Sequence, residues 1–151
     1  MTETSSKHRR FILAAFVLLS LLTAIDIAIY ILSDTYRNLL GVVDGQGFGG
    51  YLITLFPDIL ILVFYALFFY QYKRFNTMPK KLLIIHSLVF LVTAILLLIP
   101  WIGFFFFAFS PIGVLYFGAT LYLPGGYYIA LLMAFAFLIF NLYVLVVWNN
   151  V

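Results

Sequence analysis

Four apolar runs dominate the chain: Phe11–Leu32, about Tyr51–Tyr72, Leu82–Ile99 and about Tyr127–Trp148. Each is long enough to cross hydrocarbon as a helix, which takes about 20 residues at ~1.5 Å rise. No water pairs the backbone there, so only helices and closed barrels are viable. These runs lack the period-two alternation of barrel strands. The expected fold is therefore an all-α membrane protein with one domain, a four-transmembrane-helix antiparallel bundle. Composition agrees. The chain is 66% hydrophobic and 9% charged, where a soluble domain carries ~25% charged residues.

Lys and Arg set the expected orientation. Lys7, Arg9 and Arg10 precede the first run, and Lys73, Arg74, Lys80 and Lys81 lie between the second and third. Arg37 alone stands on the other side. The bias predicts both termini on the cytoplasmic side, in a cytoplasmic membrane of prokaryotic type. The net charge of +3 sits in two clusters flanking apolar runs, not on a face that would suit nucleic acid. The 151 residues contain no cysteine, which removes disulfides and thiolate metal sites. The basic start resembles a secretory signal. The run that follows is longer than the ~7–15 residues of a signal core and holds Asp26, so an uncleaved span is expected.

The cytoplasmic loop 73–81 is short and predicts a tight hairpin of spans two and three. The outer loops are about 33–50 and 100–126. The first contains the glycine run Gly45–Gly50, which lacks the Lys-Ser/Thr of a phosphate loop and reads as a linker. The second holds SPIGVLYFGATLYLPGG and carries no formal charge. It is too apolar for a solvated loop. It should lie in the interface, re-enter shallowly, or pack over the outer end of the bundle. Trp101, Tyr127 and Tyr128 suit the headgroup zone.

Two acids stand inside the apolar runs. Asp26 lies roughly 9 Å from the outer end of span one, and Asp58 roughly 10 Å from the same side of span two, at helical rise. A carboxylate near a helix centre costs up to roughly 2.5–3.5 kcal/mol, so neither should face lipid. Ser20, Thr23, Asp26, Tyr30 and Ser33 form one stripe at helical spacing, and Tyr51, Thr54, Asp58, Tyr65 and Tyr72 another. Asp26, Asp58, Thr23, Thr54, Tyr30 and Tyr65 thus form a candidate intramembrane polar site. Pro57 leaves two readings of Asp58. Span two starts near Phe56 with the acid as an interface cap, or it starts near Gly50 and Pro57 interrupts it. His86 and Asn141 form a second polar layer nearer the cytoplasm, most simply as hydrogen-bonding groups between helices.

Nothing in the sequence implies a cofactor, a metal site or a catalytic constellation. Two acids at one depth resemble intramembrane aspartyl peptidases, and the span count resembles lipoprotein signal peptidases. The resemblance ends there, because neither TAIDIAI nor LFPDILI carries the motifs of those families. The function expected is that of a non-catalytic subunit or an accessory or assembly factor of a membrane complex. Its partners would be the lipid bilayer and other membrane-protein helices, in a hetero- or homo-oligomer. The alternative is a small proton- or cation-coupled transporter that uses Asp26 and Asp58.

Overall fold

The structure is a computed structural model that describes residues 3–33 and 47–151, with side chains at 5–33 and 55–151. Among the described residues every element is helical, without strands. The order is α1 (Glu3–Leu32), α2 (Gly47–Phe75), α3 (Lys80–Leu97), α4 (Pro100–Phe106), a 3-10 turn (Phe107–Phe109), α5 (Gly113–Tyr122), α6 (Gly126–Val147) and a closing 3-10 turn (Trp148–Asn150). Four of these helices are long and apolar enough to cross a membrane. Arg37 and most of the first outer loop lie outside the described residues.

Each long helix buries one narrow stripe. On α1 it is Ile12, Phe16, Leu19, Thr23, Asp26 and Tyr30, and on α2 Leu55, Asp58, Ile61, Tyr65 and Phe68. On α3 it is Leu83, His86, Ser87, Phe90, Thr93, Ala94 and Leu97, and on α6 Ala130, Ala134, Phe137, Asn141, Val144 and Val147. Steps of three and four keep such a stripe on one side of a helix. Ser20 falls off the buried face of α1 and bonds back to the Val17 carbonyl at 2.8 Å. It leaves the polar stripe expected of it.

The packing departs from a tight hairpin of spans two and three. α2 packs on α1, and α3 packs on α6. α2 and α3 are joined by a short link, yet they make at most marginal backbone contact. Large residues on the facing sides hold them apart, and aromatic side chains fill the seam. Phe16 and Tyr65 from one pair of helices meet His86 from the other. A groove of about 570 Å³ opens between Pro57 and Leu60 of α2 and Val89 and Thr93 of α3, lined also by Phe106 and Phe109.

The uncharged segment after α3 folds over one end of the bundle. α5 packs on α6 and touches α1, while the 3-10 turn at Phe107 touches α2. Phe107 stacks on Phe117 with centroids 4.6 Å apart. The Tyr116 hydroxyl donates to the Leu97 carbonyl at 2.8 Å and so satisfies an orphan acceptor at the end of α3. Gly125 takes the left-handed backbone at φ 68° and turns the chain from α5 into α6. Gly126 then lies so close to the Ala119 carbonyl that a β-carbon would overlap it.

Candidate functional site

Pro57 lies inside α2, which runs unbroken from Gly47. Asp58 is therefore no helix cap. Proline has no N–H to give the carbonyl four residues back, so the helix forgoes the bond to Ile53 one turn before the acid. Asp58 is buried, and its Oδ1 has no hydrogen-bonding partner. Asp26 is equally buried and interacts electrostatically with Asp58. The buried faces of α1 and α2 thus carry one acid each, near enough for the two to interact.

The start of α5 covers Asp26. A β-carbon at Gly113 would stand 3.5 Å from Asp26 Oδ2. The N-terminus of a helix carries partial positive charge and suits a carboxylate nearby. Thr23, one turn before Asp26, is buried and turns its hydroxyl to the Leu19 carbonyl at 3.0 Å. Tyr30 is buried on the same face. The side chain of Thr54 lies outside the described residues, as does that of Tyr51. Gly113 escaped the sequence reading because a glycine in an apolar loop carries no signal of what crosses above it.

The second layer is centred on His86, which is almost wholly buried. Its Nε2 shares a 3.0 Å hydrogen bond with the Tyr65 hydroxyl. Five rings surround the imidazole. The centroids of Phe16 and Phe90 lie at 4.4 and 4.6 Å, those of Phe64 and Tyr65 at 5.6 Å, and that of Phe140 at 6.5 Å. Asn141 donates to the Phe137 carbonyl of its own helix at 2.8 Å and lies close enough to interact with His86. Even so, neither His86 Nδ1 nor Asn141 Oδ1 completes a hydrogen bond. The second layer therefore includes Tyr65, which the sequence stripe grouped with the acids. Asp58 and Tyr65 stand two turns apart on one face of α2, so this helix links the two layers.

Tyr65→Phe should leave His86 Nε2 buried and unpartnered, at about 1–3 kcal/mol. The expected result is a lower unfolding midpoint in detergent. An unchanged midpoint would mean that the bond contributes nothing.

A third polar layer lies where α1 and α3 begin and α2 and α6 end. The Arg9 side chain donates to the Tyr72 hydroxyl and to Asn76 Oδ1, and His8 bonds to the Tyr143 hydroxyl. Lys80 Nζ donates to the Asn149 carbonyl at 3.1 Å. Of these groups the sequence stripe included only Tyr72. The rest read as flanking charges and interface aromatics.

Among the described residues no group of three or more His, Cys, Asp or Glu could hold a metal ion. Compared with known protein families, curated proteins and solved structures, the chain matches none.

Proposed function

We propose that this chain is an integral membrane protein, an antiparallel four-helix bundle with both termini on the cytoplasmic side. In that membrane it serves as a non-catalytic subunit or accessory factor of a larger assembly. The observation that carries this reading is the inverted distribution of polarity. Leu132, Ile139 and Val146 of α6 are 69%, 62% and 77% exposed, while Asp26, Asp58, His86 and Asn141 are each at most 5% exposed. Water would reject such a surface, and hydrocarbon accepts it. The contacts of the third layer support the antiparallel arrangement, since they gather alternate helix ends at one level. The excess of Lys and Arg at that level supports a cytoplasmic assignment.

The subunit role draws on the seam. Its polar groups are enclosed, and the groove between α2 and α3 presents an apolar concavity to the membrane. Helices associate in lipid by packing and by close approach. Purification from native membranes in mild detergent should bring down a second protein in fixed stoichiometry. Recovery of this chain alone as one monodisperse species would count against the role.

One observation favours a second reading, coupled transport. The Asp26–Asp58 pair lies beneath a short helix, and Asp58 Oδ1 has no partner. Buried membrane acids that interact serve as proton or cation carriers elsewhere. On this reading Asp58→Asn abolishes a pH-driven flux in proteoliposomes at unchanged expression. Equal flux in variant and parent would end it.

A further inference from the structure

Where α1 begins and α2 ends, a recess of about 260 Å³ is lined by Ser6, Arg9, Arg10, Leu13 and Tyr72. No acidic side chain is among these residues. Arg9 is held in place there. Its Nε donates to the Tyr72 hydroxyl at 3.0 Å, its Nη2 to Asn76 at 3.2 Å, and the guanidinium lies 4.8 Å over the Tyr72 ring. Arg10 is exposed and makes no hydrogen bond or ion pair among the described residues. Two guanidinium groups at one recess call for an anion, and their forked donors match phosphate oxygens better than a point charge would.

We propose that this recess binds the phosphate of an anionic phospholipid headgroup. Arg9 and Arg10 supply the charge, the Ser6 hydroxyl a further donor, and Tyr72 the fixed orientation of Arg9. Leu13 argues for a lipid over soluble phosphate. It is a lining residue that belongs to the apolar run, and so offers an apolar surface to the glycerol and first methylenes of a lipid. Position agrees, because residues 6–10 immediately precede that run, at headgroup level. The choline of a zwitterionic lipid would carry its own cation toward two arginines, so the recess should discriminate against it. The proposal rests on the membrane reading for its lipid source, but not on the subunit role.

The test is lipid titration of the intact detergent-solubilised chain, followed by native mass spectrometry, with phosphatidylglycerol, phosphatidylcholine and inorganic phosphate as separate probes. Phosphatidylglycerol should bind in preference to phosphatidylcholine. Arg10→Gln should weaken it about tenfold, as expected for the loss of one charge-assisted hydrogen bond to the phosphate. Lys81→Gln removes the same charge from an exposed position outside the recess and should leave binding unchanged. Equal losses in the two variants would overturn the site in favour of diffuse attraction. Equal binding of the two lipids would overturn it as well. Inorganic phosphate that binds in an Arg10-dependent way, with no preference between the lipids, would overturn the lipid as the source. Failure of the membrane reading itself would show separately, in the accessibility of the exposed helix faces.

Discussion

Alanine at position 126 should separate α5 from α6 and lower the unfolding midpoint by on the order of 10 °C. Two effects oppose each other. Replacing a helical glycine by alanine gains roughly 0.5–1 kcal/mol of backbone entropy. Against this, the new methyl would overlap the Ala119 carbonyl, which is backbone within α5 and cannot swing aside as a side chain would. Overpacking costs roughly 1–3 kcal/mol, and more where the obstacle is backbone. The steric term should win. Gly118 provides the internal control. It lies within α5, and a β-carbon there would meet nothing within 4 Å. Gly118→Ala should therefore raise the midpoint slightly. Scanning calorimetry or a thiol-independent thermal melt in detergent would give both signs. The same shift in both variants would mean that α5 does not pack on α6 as described. Because α5 also covers Asp26, Gly126→Ala should admit water to the carboxyl pair before the bundle unfolds.

Phe16→Ala should cost on the order of 2 kcal/mol, the cavity term for a void of roughly 100 Å³ at about 24 cal/mol per Å³. Phe16 is fully buried, and its ring meets those of Tyr65, Phe68, His86 and Phe140 at 4.4–6.3 Å. In a bilayer the cost cannot come from transfer out of water, since lipid tails are as apolar as the core. It comes from lost dispersion contacts and a void that lipid cannot reach. Phe135 makes the comparison. It is 49% exposed on α6, so lipid would fill the gap after truncation and restore most of the lost contacts, and the loss should stay well below that of Phe16→Ala. Reversible unfolding in bicelles would measure both variants. Similar losses would contradict a seam that holds the two helix pairs together through rings.

The four long apolar helices were legible because length and hydropathy alone decide them. The run Leu82–Ile99 became α3 (Lys80–Leu97), and the run from Tyr127 became α6. The burial of Asp26 and Asp58 was legible too, since an acid within an apolar run belongs on the enclosed face of its helix. Pro57 was not. Proline followed by an acid fits a helix start and is disfavoured within a helix, so local rules pointed away from the observed continuation through Gly47–Gly50, itself against glycine's low helix propensity. The wide seam was hidden as well, because a short loop fixes proximity at one end of two helices but not along their length. α5 gave no sign of itself. Its apolar pattern is nearly uniform, and Tyr116 reveals its bond to Leu97 only once both helices are in place.

If hydrocarbon surrounds the long helices and their polar groups face one another, the two kinds of helix face differ in what can reach them. Because the chain has no cysteine, single cysteines along α6 can each carry a spin label in a reconstituted bilayer, and collisions with oxygen and with a water-soluble nickel chelate can be compared. Labels at Leu132, Phe135, Ile139 and Leu142 should collide with oxygen and be shielded from nickel. Labels at Ala134 and Asn141, both fully buried, should meet neither. Nickel reaching Phe135 and Ile139 as readily as a helix end would contradict this arrangement.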